Sequence, residues 1–217
     1  MVTKRPGRVV FIRHGESIWN VNDPRRGLVS RFTGWADIPL TDHGRRQASA
    51  AGRCLKKFQI VPDAIYTSLL RRSKETASEI TASAGGRYST VPVVNSWRLN
   101  ERHYGALVGL PKDLVGSVLD QQDVMGWRRS WDKAPPPMSA VDKRDWRDAL
   151  WAKPITVITN PLEGKTVTMT EKDAVIPTTE SLKDCALRVK AMWVNGIAPR
   201  VAKGETVLVV AHANSIR

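Results

Sequence analysis

The chain has 217 residues, 41% of them hydrophobic, with 34 basic against 21 acidic side chains and a net charge of +13. That length suits one α/β domain with a substantial core and excludes global disorder, and no apolar run approaches the ~18 residues of a membrane span. The positive balance favours anionic ligands, but the cations are scattered in pairs such as Arg25-Arg26, Arg45-Arg46 and Arg71-Arg72, so nucleic acid is not the expected partner.

Residues 9–12 form a short β-branched and aromatic run that reads as a buried strand, ending in Arg13-His14-Gly15. Open α/β sheets place ligands at such carboxyl ends. Histidine can attack phosphorus, arginine offers a fork of donors to phosphate oxygens, and Gly15 lets an anion approach the backbone. The apolar run is too short for a signal-peptide core, and Cys54 and Cys185 form no ligand cluster, so a reduced, cytoplasmic protein is expected. Turn residues predict a loop over 18–31. Thr41 is a candidate N-cap for a helix over about 42–58. A strand over 64–68, a helix over 69–84 closed by Gly85-Gly86, and a strand over 91–94 follow, an alternation that implies a parallel sheet covered by helices.

A helix is predicted over 111–123, starting at Pro111. Residues 126–179 are an irregular excursion, with a short hairpin pairing 156–158 with 166–169 and with Trp127, Trp131, Trp146 and Trp151 as packing anchors. Thr179-Glu180-Ser181 opens a helix through about Asn195. Residues 206–211 form the clearest strand in the chain, and it too delivers a histidine, His212, at its carboxyl end. Two parallel central strands bring His14 and His212 together.

These segments carry a resemblance. Arg13-His14-Gly15-Glu16-Ser17, Phe32-Thr33-Gly34-Trp35, Tyr66-Thr67-Ser68 with Arg72, the run LNERHYGALVGL over 99–110, Trp127-Arg128-Arg129, Thr179-Glu180-Ser181-Leu182 and the final His212-Ala213-Asn214-Ser215-Ile216-Arg217 follow one another across nearly the whole chain. Together they resemble the histidine phosphatase (phosphoglycerate mutase-like) superfamily, and within it the cofactor-dependent phosphoglycerate mutases. The resemblance implies a three-layer α/β/α sandwich with a mostly parallel sheet, forming a single catalytic domain over 1–217. It implies interconversion of 3-phosphoglycerate and 2-phosphoglycerate through phospho-His14, primed by 2,3-bisphosphoglycerate, with no metal. Arg13, Arg72 and His212 would line the phosphate pocket with Asn20 as a neutral donor, and Glu101 would be the general acid/base. Arg102, Tyr104, Lys112, Arg128 and Arg129 would bind the substrate carboxylate and distal phosphate, with Thr33, Gly34, Ala213 and Asn214 adding polar contacts. The partner is a small anionic phosphorylated substrate, and a homo-oligomer is compatible with the sequence.

Three departures set further expectations. Residues 21–31 insert a longer loop beside the site. Ala213 stands where the family usually has glycine, so its N–H donates only if the local dihedrals suit a Cβ. The chain stops at Arg217, where family members continue, so a truncated version of a longer protein is expected; if 217 residues is the whole protein, weaker stability and more hydrolysis of phospho-His14 follow. The competing readings are a histidine phosphatase, in which water accepts the phosphoryl group, an inactive truncated family member, and a polyanion-binding protein.

Overall fold

The computed structural model describes residues 6–138, 155–160, 163–170 and 176–217. Six strands form one sheet: β1 (Arg8–Arg13), β2 (Ala64–Thr67), β3 (Val93–Ser96), β4 (Ile155–Asn160), β5 (Lys165–Thr170) and β6 (Thr206–Ala211), in the spatial order β1-β6-β2-β3-β4-β5. The first four in that order run parallel, and β4 and β5 add an antiparallel hairpin at the β3 edge. Gly164, at φ +63°, turns the hairpin.

Alternation along β6 explains the layers. Leu208 and Val210 face one way, onto Leu55 of α1 (Asp42–Lys57) and Ala77 and Ile80 of α2 (Arg71–Ala84). Val207, Val209 and Ala211 face the other way, onto Val189 and Met192 of α5 (Leu182–Met192) and Ile197. The protein is therefore a mixed α/β fold with helices on both faces of a mostly parallel sheet. Among the described residues, no helix is long and apolar enough to cross a membrane.

Helix starts follow the expected chemistry. Thr41 Oγ1 accepts from Gly44 N–H at 2.9 Å at the start of α1. Ser181 and Asp184 form a capping box at the start of α5.

Four expectations need correction. β1 is an edge strand of the described sheet, not a central one, and it is half-buried: among the described strands only β6 flanks it, and Phe11 is 49% exposed, with Trp193 stacked 6.4 Å from its ring. The helix predicted over 111–123 is two helices, α3 (Lys112–Val118) and α4 (Gln121–Arg129), split where the Asp120 carboxylate caps Gln122 and Asp123 N–H; Pro111 is the N-cap of α3, not its first residue. The helix predicted to end near Asn195 continues through a π-helical turn (Trp193–Ile197) into α6 (Ala198–Ala202); the local change from α to π pairing immediately precedes Pro199, which has no N–H to give to the ladder. Trp131 is 55% exposed and is no packing anchor, whereas Trp127 packs with Phe32 and Val124; Trp146 and Trp151 lie outside the described residues.

Candidate active site

The parallel register of β1 and β6 pairs Arg13 with Ala211, so the next residue on each strand is a histidine. The two imidazoles lie with ring centroids 5.0 Å apart, tilted by 56°. A short helix, α7 (Ala213–Ile216), follows β6 and carries Ala213 and Asn214 to the same place.

His14 is 8% exposed, and its Nδ1 lies 2.7 Å from the carbonyl oxygen of Gly15. A carbonyl only accepts, so Nδ1 carries the proton and Nε2 keeps its lone pair. Burial, then the Arg72 guanidinium, push the His14 pKa down to about 3 against the opposing pull of the Gly15 bond, with Arg13 adding the weakest push. The ring is therefore a neutral nucleophile at physiological pH. His212 is fully buried and held neutral for the same reasons: burial first, then Arg72 and His14.

Gly15 does not play the part expected for it. Its N–H bonds to Thr76 Oγ1 at 3.0 Å, and a Cβ there would meet the Gly44 carbonyl oxygen at 2.3 Å. The glycine lets the loop after β1 pack against the start of α1, and no anion needs to approach it.

A cavity of about 130 Å³ opens beside His14, lined by Arg13, His14, Asn20, Thr33, Gly34, Arg72, Glu101, Tyr104, Lys112, Arg128, Ala213 and Asn214 of the predicted residues, and also by Arg31 and Phe32; His212, expected in its lining, is fully buried next to His14 and does not line it. Arg72 is fully buried; Nη1 and Nη2 donate to the carbonyls of Ala36 and Gly34, both at 2.9 Å, and Nε has no protein partner. Burial lowers its pKa to about 10, so it stays charged at neutral pH. Asn20 Oδ1 accepts from the Ser17 backbone N–H and from its hydroxyl, which leaves the Asn20 amide NH2 as the group for a ligand.

Lys112 donates from its backbone N–H to Ser30 O and from Nζ to Ser30 Oγ, both at 2.9 Å. Burial, then Arg128 and Arg13, lower its pKa. Arg31 donates to the Gly109 carbonyl at 2.8 Å. The residues 21–31 that lengthen the loop thus end in two groups serving the cavity, Ser30 and Arg31. Ala213 begins α7 with helical backbone, a conformation any L-residue adopts, so its Cβ costs nothing there.

Glu101 is 8% exposed. Its Oε1 accepts from the Arg102 backbone N–H at 2.8 Å and from Asn214 Nδ2 at 2.9 Å, which leaves Oε2 for a substrate proton. The backbone carrying it is clasped by Arg188, whose Nη groups donate to the carbonyls of Arg98, Asn100 and Glu101 at 2.8 to 2.9 Å, while Nε and Nη2 bind the Glu180 carboxylate. Glu180 in turn accepts from His103 N–H at 2.8 Å. Trp35 Nε1 adds a second donor to the Glu101 carbonyl.

Two predicted binding residues are not at the cavity. Arg102 is fully buried: its guanidinium lies 4.6 Å from the Tyr104 ring and donates to the Arg128 carbonyl, so it supports the wall from behind. Arg129 ends α4 exposed and does not line the cavity, because the helix turns it away from Arg128. Sequence reasoning gave no role at the site to Arg31 or Arg188, and none to Ser68 or Glu180 beyond their place in two of the motifs. Arg188 left a trace: it shares the buried face of α5 with Cys185 and Val189, at helical spacing, and a buried arginine needs many acceptors.

The model of the histidine phosphatase superfamily (branch 1) matches residues 9–150. The chain belongs to the histidine phosphatase superfamily. Solved structures agree. The chain is 26% identical to mycobacterial hydrolase 1 (TM-score 0.62; 97% of this chain and 75% of that one covered) and 25% identical to Bacillus stearothermophilus YhfR (TM-score 0.61; 96% and 75%). It is 28% identical to a mycobacterial glucosyl-3-phosphoglycerate phosphatase in complex with VO3 (TM-score 0.56; 97% and 78%). The superfamily groups phosphatases and mutases, so its members' shared chemistry is phosphoryl transfer. Among the described residues, no group of three His, Cys, Asp or Glu side chains is arranged to hold a metal ion.

Proposed function

We propose that the protein transfers a phosphoryl group through phospho-His14 on a small phosphomonoester bearing a second anionic group, and that the reaction interconverts 3-phosphoglycerate and 2-phosphoglycerate. The observation that carries this reading is the charge of the cavity: among the described residues five cations line it, Arg13, Arg31, Arg72, Lys112 and Arg128, with Glu101 as the one carboxylate. Arg13 and Arg72 act on His14, and Lys112 is coupled to Arg128. One phosphate needs the first pair. The remaining cations suit a carboxylate or a second phosphate on the same ligand.

The chemistry follows from the tautomer. The Nε2 lone pair of His14 forms the N–P bond as the bond from phosphorus to the ester oxygen breaks. Arg13, Arg72 and the amide of Asn20 stabilise charge on the equatorial oxygens. Glu101 returns a proton to the leaving oxygen, and in the opposite direction its carboxylate takes the proton from the accepting hydroxyl. The same donor set fits 2,3-bisphosphoglycerate, whose two phosphates and carboxylate match cations spread through one cavity; when bound it supplies the phosphoryl group that primes His14.

The second reading is hydrolysis, and the similarity to a glucosyl-3-phosphoglycerate phosphatase favours it. A coupled assay for 2-phosphoglycerate, run on 3-phosphoglycerate with and without 2,3-bisphosphoglycerate, separates the two. Isomer formation that depends on the bisphosphate is expected. Release of inorganic phosphate with no isomer would overturn the mutase in favour of the hydrolase. Glu101→Gln is expected to slow transfer by roughly 10²–10⁴-fold; an unchanged kcat would remove Glu101 from the mechanism.

A further inference from the structure

Ser68 directly follows β2 and is fully buried. Its Oγ lies 2.7 Å from Nε2 of His212 and accepts from the backbone N–H of Leu70 at 3.1 Å. A serine hydroxyl has one hydrogen and two lone pairs. Were His212 to donate from Nε2, Oγ would accept twice, and its own hydrogen would have no acceptor in a buried place. With the hydroxyl donating to Nε2 instead, every polar atom of the contact is satisfied. The neutral imidazole then carries its proton on Nδ1. Among the described residues, Nδ1 of His212 is a buried atom with no hydrogen-bond partner, on a ring whose centroid is 5.0 Å from that of His14. An unpaired buried donor beside a nucleophile calls for an acceptor that arrives with the ligand.

We propose that Ser68 is a positioning residue that fixes His212 in the Nδ1–H tautomer, so that this ring presents a donor to the phosphoryl oxygens on His14. The proposal rests on the phosphoryl-transfer reading above. The opposite tautomer would turn a lone pair toward an anionic oxygen. Ser68 is itself held in place: its N–H bonds to Ser73 Oγ, which donates to the carbonyl of Val210, two residues before His212 on β6. The serine and the histidine it orients are thereby tied to the same strand.

The test reads the tautomer directly. Protein labelled with 15N-histidine is examined without substrate by long-range 1H–15N correlation, with the His212 signals assigned by their loss in His212→Gln. Nδ1 protonated and Nε2 bare is the expected pattern; a proton on Nε2 of His212 overturns the proposal. Ser68→Ala should mix the tautomers and lower kcat by about ten- to hundred-fold, with KM within about twofold, and Ser68→Thr should restore both readouts. A folded Ser68→Ala protein with unchanged kcat and unchanged tautomer also overturns it. Turnover is followed with 3-phosphoglycerate, or with p-nitrophenyl phosphate if hydrolysis is the reaction found. Absence of isomerisation with the Nδ1–H pattern intact counts against the mutase reading alone.

Discussion

β1 and β6 lie side by side, parallel and in register, and each ends in a histidine, yet their surroundings differ sharply. β6 is buried from Val207 to Ala211, while β1 is an edge strand of the described sheet with Phe11 and Arg13 exposed. The rings differ in the same way. His14 donates from Nδ1 to the carbonyl beside it and keeps a lone pair on Nε2. His212 has its Nε2 against the Ser68 hydroxyl and, on the proposal above, offers a proton from Nδ1. Equivalent strand positions thus yield a nucleophile and a donor, and the partner of each ring's second nitrogen decides which.

The sharpest way to break this comparison is to remove each ring in turn. His14→Ala should abolish covalent 32P labelling from labelled 2,3-bisphosphoglycerate; a label that persists would mean another nucleophile. His212→Ala should keep the labelling site and slow label formation by roughly 10²–10³-fold, the loss of one transition-state donor. Equal outcomes for the two variants would erase the distinction drawn between the rings.

Arg188→Met tests the support behind Glu101, which lines the cavity with His14. It strands Glu180 as a buried unpaired charge and takes a donor from three carbonyls, of which that of Glu101 keeps another, from Trp35, so a loss of about 3–5 kcal/mol in urea unfolding is expected, with kcat falling more than KM rises. Gly44→Ala probes the β1 side alone. Alanine in a helix usually stabilises, but here its Cβ would meet the Glu16 carbonyl at 2.1 Å, so a loss of up to about 3 kcal/mol is expected, with slower labelling of His14. An increase in Tm would show that the loop after β1 yields easily.

Acid gives the smallest effect. Both imidazoles have native pKa values below 6.5, His14 at about 3. Below pH 6.5 the unfolded chain takes up protons that the native chain refuses. This stability is therefore complete above pH 6.5 and declines as pH falls toward 3, by about 1 kcal/mol per imidazole between pH 7 and 5.5. The measurement is the urea midpoint across that range, and His14→Gln should flatten the slope by one imidazole's share.

Much of the sheet was legible because its signals are local. Apolar runs marked β2 and β6, Thr41 marked a cap, and β-formers at 156–158 and 166–169 marked the hairpin. The exposure of β1 was not legible, since Val9 to Ile12 read alike at an edge or in a centre and only strand order decides. The break between α3 and α4 was hidden because Asp120 can be a helix residue or a cap, and the cap won by satisfying two N–H groups. In the site, the residues that line the cavity came largely from motifs. What holds them, as Arg188 holds the Glu101 backbone and Ser30 holds Lys112, depends on contacts between distant segments that no spacing reveals.

The five cations and single carboxylate that line the cavity among the described residues also act before any contact is made. With both imidazoles neutral, the mouth carries a net fixed charge that draws in a multiply charged anion across roughly a Debye length, ~8 Å at physiological ionic strength. Capture is then faster than random collision and slows as salt is added, while chemistry on the bound ligand is shielded from it. Inorganic phosphate and sulfate feel the same pull, so the anions of an ordinary buffer compete for this cavity in proportion to their charge.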